Sequence, residues 1–445
     1  MELDSQKCVD QHAITIWEVK KDRLTALQHK LTQTPKLLTV TAAGSKCSIF
    51  KVPQVLTDVN GPSYQPHIVS IGPFHHGEPQ LQLIEEHKGR ILSQLLNRNK
   101  AIGIVLEDLL KAVQPLQVMA RECYSETVPY STDEFIEMMV LDSCFIIEIL
   151  RMFGGLVDTD ESDPLVKTSW VVSFLLCDLI RMENQIPFFV LECLFELTKM
   201  PTESPTLAML ALGFYGYAQK PKNVYFNKKS KHLLDLLRST FISQEIEKPT
   251  KPENHHLPLH IIHNATQLHR MGFKLQRPQE AEIGFLLVNY SNKDTIDMPT
   301  IQIDDFMSVL MLNAIAYEQC HTGSSKHFTT YAILLSCLIR VSGDMEYLCD
   351  QNIIVNQLGT NDELETFLNN MVKHVTLDVN ECYLAPLFHN VNKRCVYSWQ
   401  VQLAIIKNTY FITRWSIMSS FAAFVLLLLT IAQTIYAILS YARTV

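Results

Sequence analysis

The C-terminal end of the chain constrains its fold more than any other feature. The 28 consecutive residues between Arg414 and Arg443 carry no charge, and they include the run FAAFVLLLLTIA. At about 1.5 Å per residue, a helix of this length exceeds the hydrocarbon core of a bilayer, which is about 30 Å thick. Trp415 stands at one edge and Tyr436 and Tyr441 near the other, where amphipathic rings prefer the membrane interface. A buried core helix is the alternative, but the run is too long for one, so the sequence predicts a membrane-spanning helix from Trp415 to Tyr441.

The basic residues around this segment predict its orientation. Four of them lie on its upstream side, whereas Arg443 stands alone downstream. Because basic flanks remain in the cytosol, we expect the large domain to be cytosolic, at either the plasma membrane or the endoplasmic reticulum. The short stretch after Tyr441 favours insertion after translation, as in tail-anchored proteins. The upstream basic residues are Lys393, Arg394, Lys407 and Arg414.

Two glycosylation sequons argue for the opposite orientation. Asn264 and Asn289 each begin an Asn-x-Ser/Thr triplet, which is modified only in an extracytoplasmic domain. Such triplets also arise by chance in long chains, so the cytosolic orientation stays favoured. Asn264 and Asn289 are the candidate glycosylation sites if the domain is extracytoplasmic.

The rest of the chain has the composition of a folded domain in a reducing compartment. Of its 445 residues, 47% are hydrophobic and 19% are charged, which excludes extensive disorder. The formal net charge of −8 argues against a nucleic-acid-binding protein. The 11 cysteines form no C-x-x-C pair, and several lie in apolar helical runs. We therefore expect buried, reduced thiols rather than disulfides or a zinc site.

Three regions are predicted along the chain. Residues 12–32 place apolar side chains at helical spacing, and the following TPKLLTVTAAGSK is typical of a linker. Residues 1–48 are thus expected to form an N-terminal amphipathic helix and a linker. Residues 49–410 are expected to form a large helical domain, and residues 415–441 the transmembrane helix.

Hydrophobic periodicity predicts that the large domain is mainly α, with a small β patch. Two segments, 138–153 and 169–197, are apolar nearly all round, which is typical of central helices, and Pro187 breaks the second. Short strands are expected within IFKVP, FKLQ, IGFLLVNY and MPTIQID. Other helices are expected from Gln80 onward and over 101–113, 115–124, 132–153, 232–243, 304–320, 327–341, 344–352 and 361–375.

One group of polar residues is embedded in these apolar helices. Burying charge is costly unless the charge is paired, so such residues indicate either a structural hydrogen-bond network or an active site with shifted pKa values. The structural network is the commoner outcome, and the same choice applies to Asn313, Glu318 and Gln319. The group, called the polar cluster below, consists of Asp142, Asp178, Arg181, Glu183, Asn184 and Gln185.

Two histidine-rich segments are weaker candidates. SIGPFHHGE contains His75 and His76, with His67 and His87 nearby, and HHLPLHIIH contains four histidines. Neither has the ligand spacing of a known metal site, and Pro258 disfavours a helix through the second, so loop packing is favoured over metal binding or catalysis. The sequence contains no nucleotide-binding, nucleophile-elbow or H-E-x-x-H motif, and it predicts no catalytic residue, cofactor or metal.

Several ordered segments resemble the plant domain-of-unknown-function 247 family, also called uncharacterised protein family 0481. The likeness runs from about Ile49 to Tyr436 and departs from the family pattern at His269-Arg270-Met271. It implies a plant protein with one C-terminal membrane helix and no established enzymatic activity, and no functional residues can be carried over. The segments are IFKVPQVL, YQPHIVSIGPFHHG, EEHKGRIL, MMVLDSCFIIEILR, DLIRMENQIPFFVLECLF, KHLLDLLR, ATQLHRMGFK, LNAIAYEQC and LLLLTIAQTIY.

Two hypotheses for function follow. The first is a membrane-anchored, non-enzymatic recognition or signalling protein that binds an unknown protein partner. Its role in reproductive recognition, either self-incompatibility or sex determination, is implied by the family resemblance alone. The alternative is an enzyme that binds a small substrate at the buried polar residues Asp178 to Gln185. A soluble nuclear or adaptor protein is a third hypothesis, which requires that the C-terminal segment be hidden.

Overall fold

The computed structural model describes residues 21–32, 46–158, 163–216, 229–243, 246, 262–278, 284–291, 294–397 and 414–444. The described part is mainly helical, with two small sheets and a long C-terminal apolar helix, so the predicted fold class is confirmed. Most of HHLPLHIIH lies outside the described residues. The predicted boundaries at 48, 410 and 415 stay predictions.

The helices of the described residues are named in chain order. They are α1 (Lys21–Thr32), α2 (Gln54–Asn60), α3 (Gln82–Asn99), α4 (Leu106–Val113), α5 (Gln117–Glu122), α6 (Thr132–Phe153), α7 (Pro164–Lys167), α8 (Ser169–Asp178), α9 (Phe188–Thr198), α10 (Leu207–Gly216), α11 (Leu233–Thr240), α12 (Ala265–Arg270), α13 (Asp305–Cys320), α14 (His327–Leu338), α15 (Ser342–Asp350), α16 (Asn361–Met371), α17 (Ala385–Tyr397) and α18 (Arg414–Thr444).

Helix α6 is the centre of the first half of the domain. Its sequence is apolar on nearly every side, and α3, α4, α9 and α10 all pack against it. The helix begins at a capping box, in which the Ser131 hydroxyl accepts from the Glu134 N–H and the Glu134 carboxylate accepts from the Ser131 N–H. The prediction of a helix over 132–153 is therefore confirmed at both ends.

Helix α13 is the centre of the second half of the domain, as α6 is of the first. It packs against α11, α14 and α8, so that the two halves share a continuous hydrophobic core. Its start is set by Asp304, whose carboxylate accepts from the Met307 N–H at 2.7 Å. Because α8 touches α13, the residues that follow α8 lie where the two halves of the core meet.

The β patch consists of two small sheets. In the first, β1 (Lys274–Gln276) pairs in parallel with β3 (Thr295–Asp297), and β2 (Asn289–Ser291) pairs antiparallel to β3. In the second, β4 (Ile301–Ile303) pairs in parallel with β5 (Ile354–Asn356). Strands in FKLQ and MPTIQID are confirmed, whereas within IGFLLVNY only Asn289 and Tyr290 belong to a strand, and Phe285 and Leu286 form a turn.

Three other predictions are wrong in detail. IFKVP forms only an isolated bridge between Ile49 and Tyr124. The five prolines between residues 49 and 79 predict an irregular segment, but residues 54–60 within it form α2. Helical structure expected up to Pro187 ends at Asp178, because the polar side chains after it bind the backbone groups of 179–184 and hold that stretch as a loop.

Helix α18 is 31 residues long, which corresponds to about 46 Å. Its segment Phe421–Ile438 is long and apolar enough to cross a membrane, and none of that segment is buried against the rest of the protein. A core helix would be covered by neighbours, so α18 does not fit the alternative of a buried helix.

Candidate functional site

The polar cluster forms around the residues that connect α8 to α9. All six of its members are buried. The cluster faces the segment 62–78, which contains SIGPFHHG and has no regular secondary structure from 64 to 78. A buried segment without a ladder of its own must find partners for its backbone N–H and C=O groups elsewhere.

Asp178, at the last position of α8, binds one end of this segment. Its carboxylate accepts hydrogen bonds from the backbone N–H groups of His67 (3.0 Å), Ile68 (2.8 Å) and Val69 (3.2 Å). The same carboxylate accepts from Arg181 Nε at 3.0 Å. Asp178 therefore neutralises the buried charge of Arg181 and accepts hydrogen bonds from three consecutive backbone N–H groups.

Arg181 extends the network to the start of the segment. Its guanidinium donates to the carbonyl oxygens of Pro62 and Ser63, and it contacts His67 Nδ1 at 2.6 Å. Burial lowers the pKa of Arg181, and the carboxylate of Asp178 opposes that shift. An arginine stays charged in proteins, so the buried guanidinium of Arg181 needs a counter-ion, and the Asp178 carboxylate lies beside it.

Asn184 and Gln185 bind the middle of the segment and the loop itself. Asn184 Oδ1 accepts from the Ile71 N–H at 2.7 Å, while its Nδ2 donates to the carbonyl oxygens of Val69 and Asp178. Gln185 Nε2 donates to carbonyl oxygens of the 179–184 loop, and its Oε1 accepts from the Leu234 N–H. Each amide thus uses both its donor and its acceptor.

Asp142 approaches from α6 and binds the far end of the segment. One carboxylate oxygen accepts from the Gly72 N–H at 2.8 Å, and the other accepts from Lys88 Nζ at 2.6 Å. Gly72 has φ +73°, and a Cβ atom there would lie 2.7 Å from the Gln185 carbonyl oxygen. Only glycine fits this close approach.

Lys88 is a member of the network that the polar-cluster prediction omits. It is fully buried on α3, and besides Asp142 it donates to the Ser70 carbonyl oxygen and to the Glu85 carboxylate, both at 2.5 Å. Burial raises the pKa of Glu85, although Lys88 opposes the shift. The signal was present in the sequence, because Lys88 lies four residues after Ile84, on the apolar stripe of α3.

Glu183 and His75 close the network near the surface. Glu183 accepts from the Val52 N–H at 2.7 Å and lies 3.2 Å from His75 Nε2, while His75 Nδ1 lies 2.8 Å from Glu78. Burial of His75 opposes its charged form, but the two carboxylates outweigh burial and raise the pKa of the ring. His76 is exposed and packs edge-on against Tyr130. The structure therefore brings His75, but not His76, into the network.

The second group of embedded polar residues makes similar bonds. Asn313 accepts from the Met182 N–H and donates to the Ser63 carbonyl oxygen, so α13 is tied to the same loop and segment. The Glu318 carboxylate accepts from the N–H groups of Phe328 and Thr329 at the start of α14, and burial raises its pKa. Gln319 bonds to the backbone of Thr376.

The chemistry open to the polar cluster is limited by these bonds. Its carboxylates and amides are engaged with backbone groups, and it does not line the cavity of about 640 Å³ that lies between α3, α6 and the chain around Asp163. Within the described residues, no group of three or more His, Cys, Asp or Glu side chains could hold a metal ion. The arrangement suits the fixing of a backbone segment better than the binding of a substrate.

The segments joined by this network identify the family of the chain. The model of the domain-of-unknown-function 247 family, described as a plant protein of unknown function, matches residues 49–429. The chain belongs to this family. A UPF0481 protein of Arabidopsis thaliana is 33% identical over 434 residues, which cover 92% of this chain and 90% of the relative. A putative UPF0481 protein of the same plant is 23% identical over 481 residues, covering 87% and 89%. No solved structure matches the chain.

The polar cluster lies entirely within the region that matches the domain-of-unknown-function 247 family. Segments that carry the resemblance supply its parts. The network joins five of these segments, which are far apart in the chain: IFKVPQVL, YQPHIVSIGPFHHG, EEHKGRIL, MMVLDSCFIIEILR and DLIRMENQIPFFVLECLF.

The two sequons differ in this family member. Asn264 is buried at the start of α12, where its Oδ1 accepts from the Gln267 N–H at 2.9 Å and caps the helix. Asn289 is exposed in β2. A glycan therefore fits the folded domain at Asn289 but not at Asn264.

Proposed function

We propose that this protein is a membrane-anchored, non-enzymatic component of protein recognition or signalling. The observation that carries the proposal is the use of the polar cluster, in which side chains of several helices hold the backbone of segment 62–78. Satisfied buried polar networks fix one conformation, which is what a recognition surface requires. On this proposal the helical domain is a rigid scaffold that presents its surface to a protein partner.

The membrane anchor in this proposal is α18. Its apolar side chains from Phe421 to Ile438 have no partner within the described part of the chain, and a bilayer is the environment that would cover them. Arg414 and Arg443 bound the uncharged segment, and the membrane interface would accommodate both.

A cytosolic position of the helical domain is the orientation that we propose. The basic residues upstream of α18 favour it through the positive-inside rule. The cysteines of the described residues are all free, which suits a reducing compartment. Asn264 adds a third argument, because a glycan on this buried cap would prevent α12 from packing.

The alternative is an enzyme with a site at Asp178–Gln185. It would require at least one cluster member to release its backbone partner and face a substrate. Alanine substitutions distinguish the two proposals, because a structural network loses folding whereas a catalytic site leaves a folded, inactive protein. A role in reproductive recognition rests only on the family resemblance, and a self-incompatibility or sex-determination phenotype of a null mutant would test it.

Topology is the experiment that tests the anchored scaffold directly. The full chain, extended after Val445 by a short tag that carries a glycosylation sequon, would be expressed in plant cells and recovered in sealed microsomes. We expect the tag to be glycosylated and the helical domain to be digested by protease added outside the vesicles.

The opposite topology has a distinct signature. A glycosidase-sensitive mass shift that disappears in Asn289→Gln, together with a protected helical domain, would place the domain outside the cytosol and overturn the proposal. Asn264→Gln is the matched control, since its side chain is buried in the folded domain. A chain that leaves the membrane in alkaline carbonate would contradict the anchor itself.

A further inference from the structure

The cavity between α3, α6 and the chain around Asp163 lies outside the polar cluster and has a volume of about 640 Å³. Small-molecule sites in proteins have volumes of about 300–1,000 Å³, so the space is sufficient for a ligand. One side of the cavity is polar, because Arg90, Gln94 and Arg98 follow one another at intervals of four residues on one face of α3. Met152 and Leu156 add apolar surface to the lining.

The two arginines of this lining are held in fixed directions. Arg90 donates through both terminal nitrogens to the Asp163 carboxylate, at 2.8 and 3.1 Å, and Arg98 donates in the same way to Glu148, at 2.6 and 2.7 Å. A guanidinium has five N–H groups, and these two-pronged pairs use only two of them, so each arginine keeps donors for a ligand. The Nε of Arg98 is buried without a hydrogen-bond partner among the described residues.

The charges of the lining exclude a strongly charged ligand. Two arginines face three carboxylates, because the exposed Asp158 adds a third carboxylate to the two that are paired, which gives a net charge of −1 (2 − 3). Glu148 also pairs with the buried Arg151, but Glu203 balances that arginine. An anion is therefore repelled by the surplus carboxylate, and a cation is repelled by the guanidinium groups.

A neutral ligand with hydroxyl groups suits this lining. A hydroxyl group accepts hydrogen bonds and also donates one, so it can accept from a guanidinium or from the Gln94 amide and donate to the Asp158 carboxylate. The C–H groups of such a ligand would contact Met152 and Leu156. Arg90 and Arg98 are eight residues apart on α3, or about 12 Å along its axis, so a ligand that reaches both is longer than one sugar ring.

We propose that this cavity is a binding site for a neutral disaccharide. The arginines and Gln94 bind the hydroxyl oxygens of the sugar, and Asp158 accepts from its hydroxyl groups. The ion pairs with Asp163 and Glu148 orient the guanidinium groups before the ligand enters, which lowers the entropic cost of binding. This assignment goes beyond the proposed recognition function and does not depend on it.

Saturation-transfer difference NMR of the full chain tests the proposal. The protein would be held in micelles of a detergent without sugar groups, and sucrose would be the probe. We expect a sucrose signal that saturates with concentration and that inorganic phosphate, at equal ionic strength, does not displace. Raffinose extends sucrose by one ring and distinguishes two sources of such a ligand. Both outcomes support the sugar site, since weaker binding than sucrose indicates a free disaccharide and equal binding indicates the end of a longer glycan.

Gln94→Leu is the first variant. Gln94 is exposed, so the substitution leaves the core unchanged, and sucrose should bind about tenfold more weakly because the hydrogen bonds of the amide to the sugar are lost. Gln82→Leu is the matched control, since Gln82 is also exposed on α3 but does not line the cavity, and it should bind sucrose as the wild type does.

Asp158→Asn distinguishes a sugar from an anion. It removes the surplus negative charge and replaces a charged acceptor with a neutral one, so sucrose should bind several-fold more weakly and phosphate should still fail to displace it. A wild-type chain without a saturable sucrose signal would overturn the proposal. Equal sucrose binding by the Gln94→Leu and Gln82→Leu proteins, or displacement of sucrose by phosphate, would overturn it as well.

Discussion

Replacing Asp178 with asparagine is the sharpest test of the polar cluster. The Asp178 carboxylate accepts from three consecutive backbone N–H groups and from Arg181. Asparagine has nearly the same shape but only one acceptor oxygen, and its other terminal atom is an NH₂ group. Whichever way the amide turns, this NH₂ group faces either the backbone donors or the guanidinium.

The expected loss of stability follows from these contacts. A buried donor left without a partner costs about 1–3 kcal/mol. A buried charge that loses its counter-ion costs about 3–5 kcal/mol. Because Arg181 keeps the carbonyl oxygens of Pro62 and Ser63, we expect the free energy of unfolding to fall by about 3–5 kcal/mol in all. At about 2 °C for each kcal/mol in a large domain, Tm should fall by about 6–10 °C.

The measurement is thermal unfolding of the full chain in detergent micelles, followed by near-ultraviolet circular dichroism. Glu107→Gln is the matched control, because it also removes one carboxylate charge but breaks an exposed ion pair with Lys111. Such a pair contributes about 1 kcal/mol or less, so this control should melt within about 2 °C of wild type. An Asp178→Asn protein that melts as the control does would refute the structural role of the cluster.

Three further predictions concern the same network. Gly72→Ala should lower the free energy of unfolding by at least about 2 kcal/mol, because the added Cβ would collide with the Gln185 carbonyl oxygen. Gly77 also has a positive φ, but no atom lies within 4 Å of a Cβ there, so Gly77→Ala should cost only about 1 kcal/mol. Equal losses of Tm in the two variants would contradict this prediction. The folded-state pKa of His75 is raised above 6.5, so the stability that its charged form contributes is complete below that value and is lost as the pH rises through the folded-state pKa. His75→Gln should therefore flatten the Tm profile above pH 6.5, and an unchanged profile would be the negative result. Lys88→Met should lower the free energy of unfolding by about 3–5 kcal/mol, because it leaves the Asp142 carboxylate without its counter-ion. In denaturant melts, the double variant with Asp142→Asn should lose less free energy of unfolding than the sum of the two single losses. Strict additivity would argue against the Lys88–Asp142 ion pair.

Long periodic segments made much of the fold predictable. The helix over 132–153 could be placed at both ends because its apolar run is long and its start has a capping signal in Ser131 and Glu134. The short strands were harder, since three residues carry little periodicity, and β5 is formed only because Ile354 lies in register beside Ile301. Pairings of that kind depend on contacts between distant parts of the chain.

The candidate site, too, was predictable from the sequence only in part. The sequence identified the polar residues after α8 because charges and amides are unusual within apolar helices. It did not identify their partners, since most of these are backbone groups of segment 62–78, and any residue type has a backbone N–H. Lys88 was within reach of pattern analysis, whereas the hydrogen bond between the Met182 N–H and Asn313, 131 residues apart, was not.

The sequence by itself determined the family, the mainly helical class and the apolar C-terminal helix, because each is encoded in a continuous run of residues or in a set of ordered segments. The tertiary structure alone decided what the embedded polar residues bind and which of the two sequons is buried. Those properties depend on which distant groups meet in the folded core, where the cost of an unpaired charge or donor is high enough to select the partner.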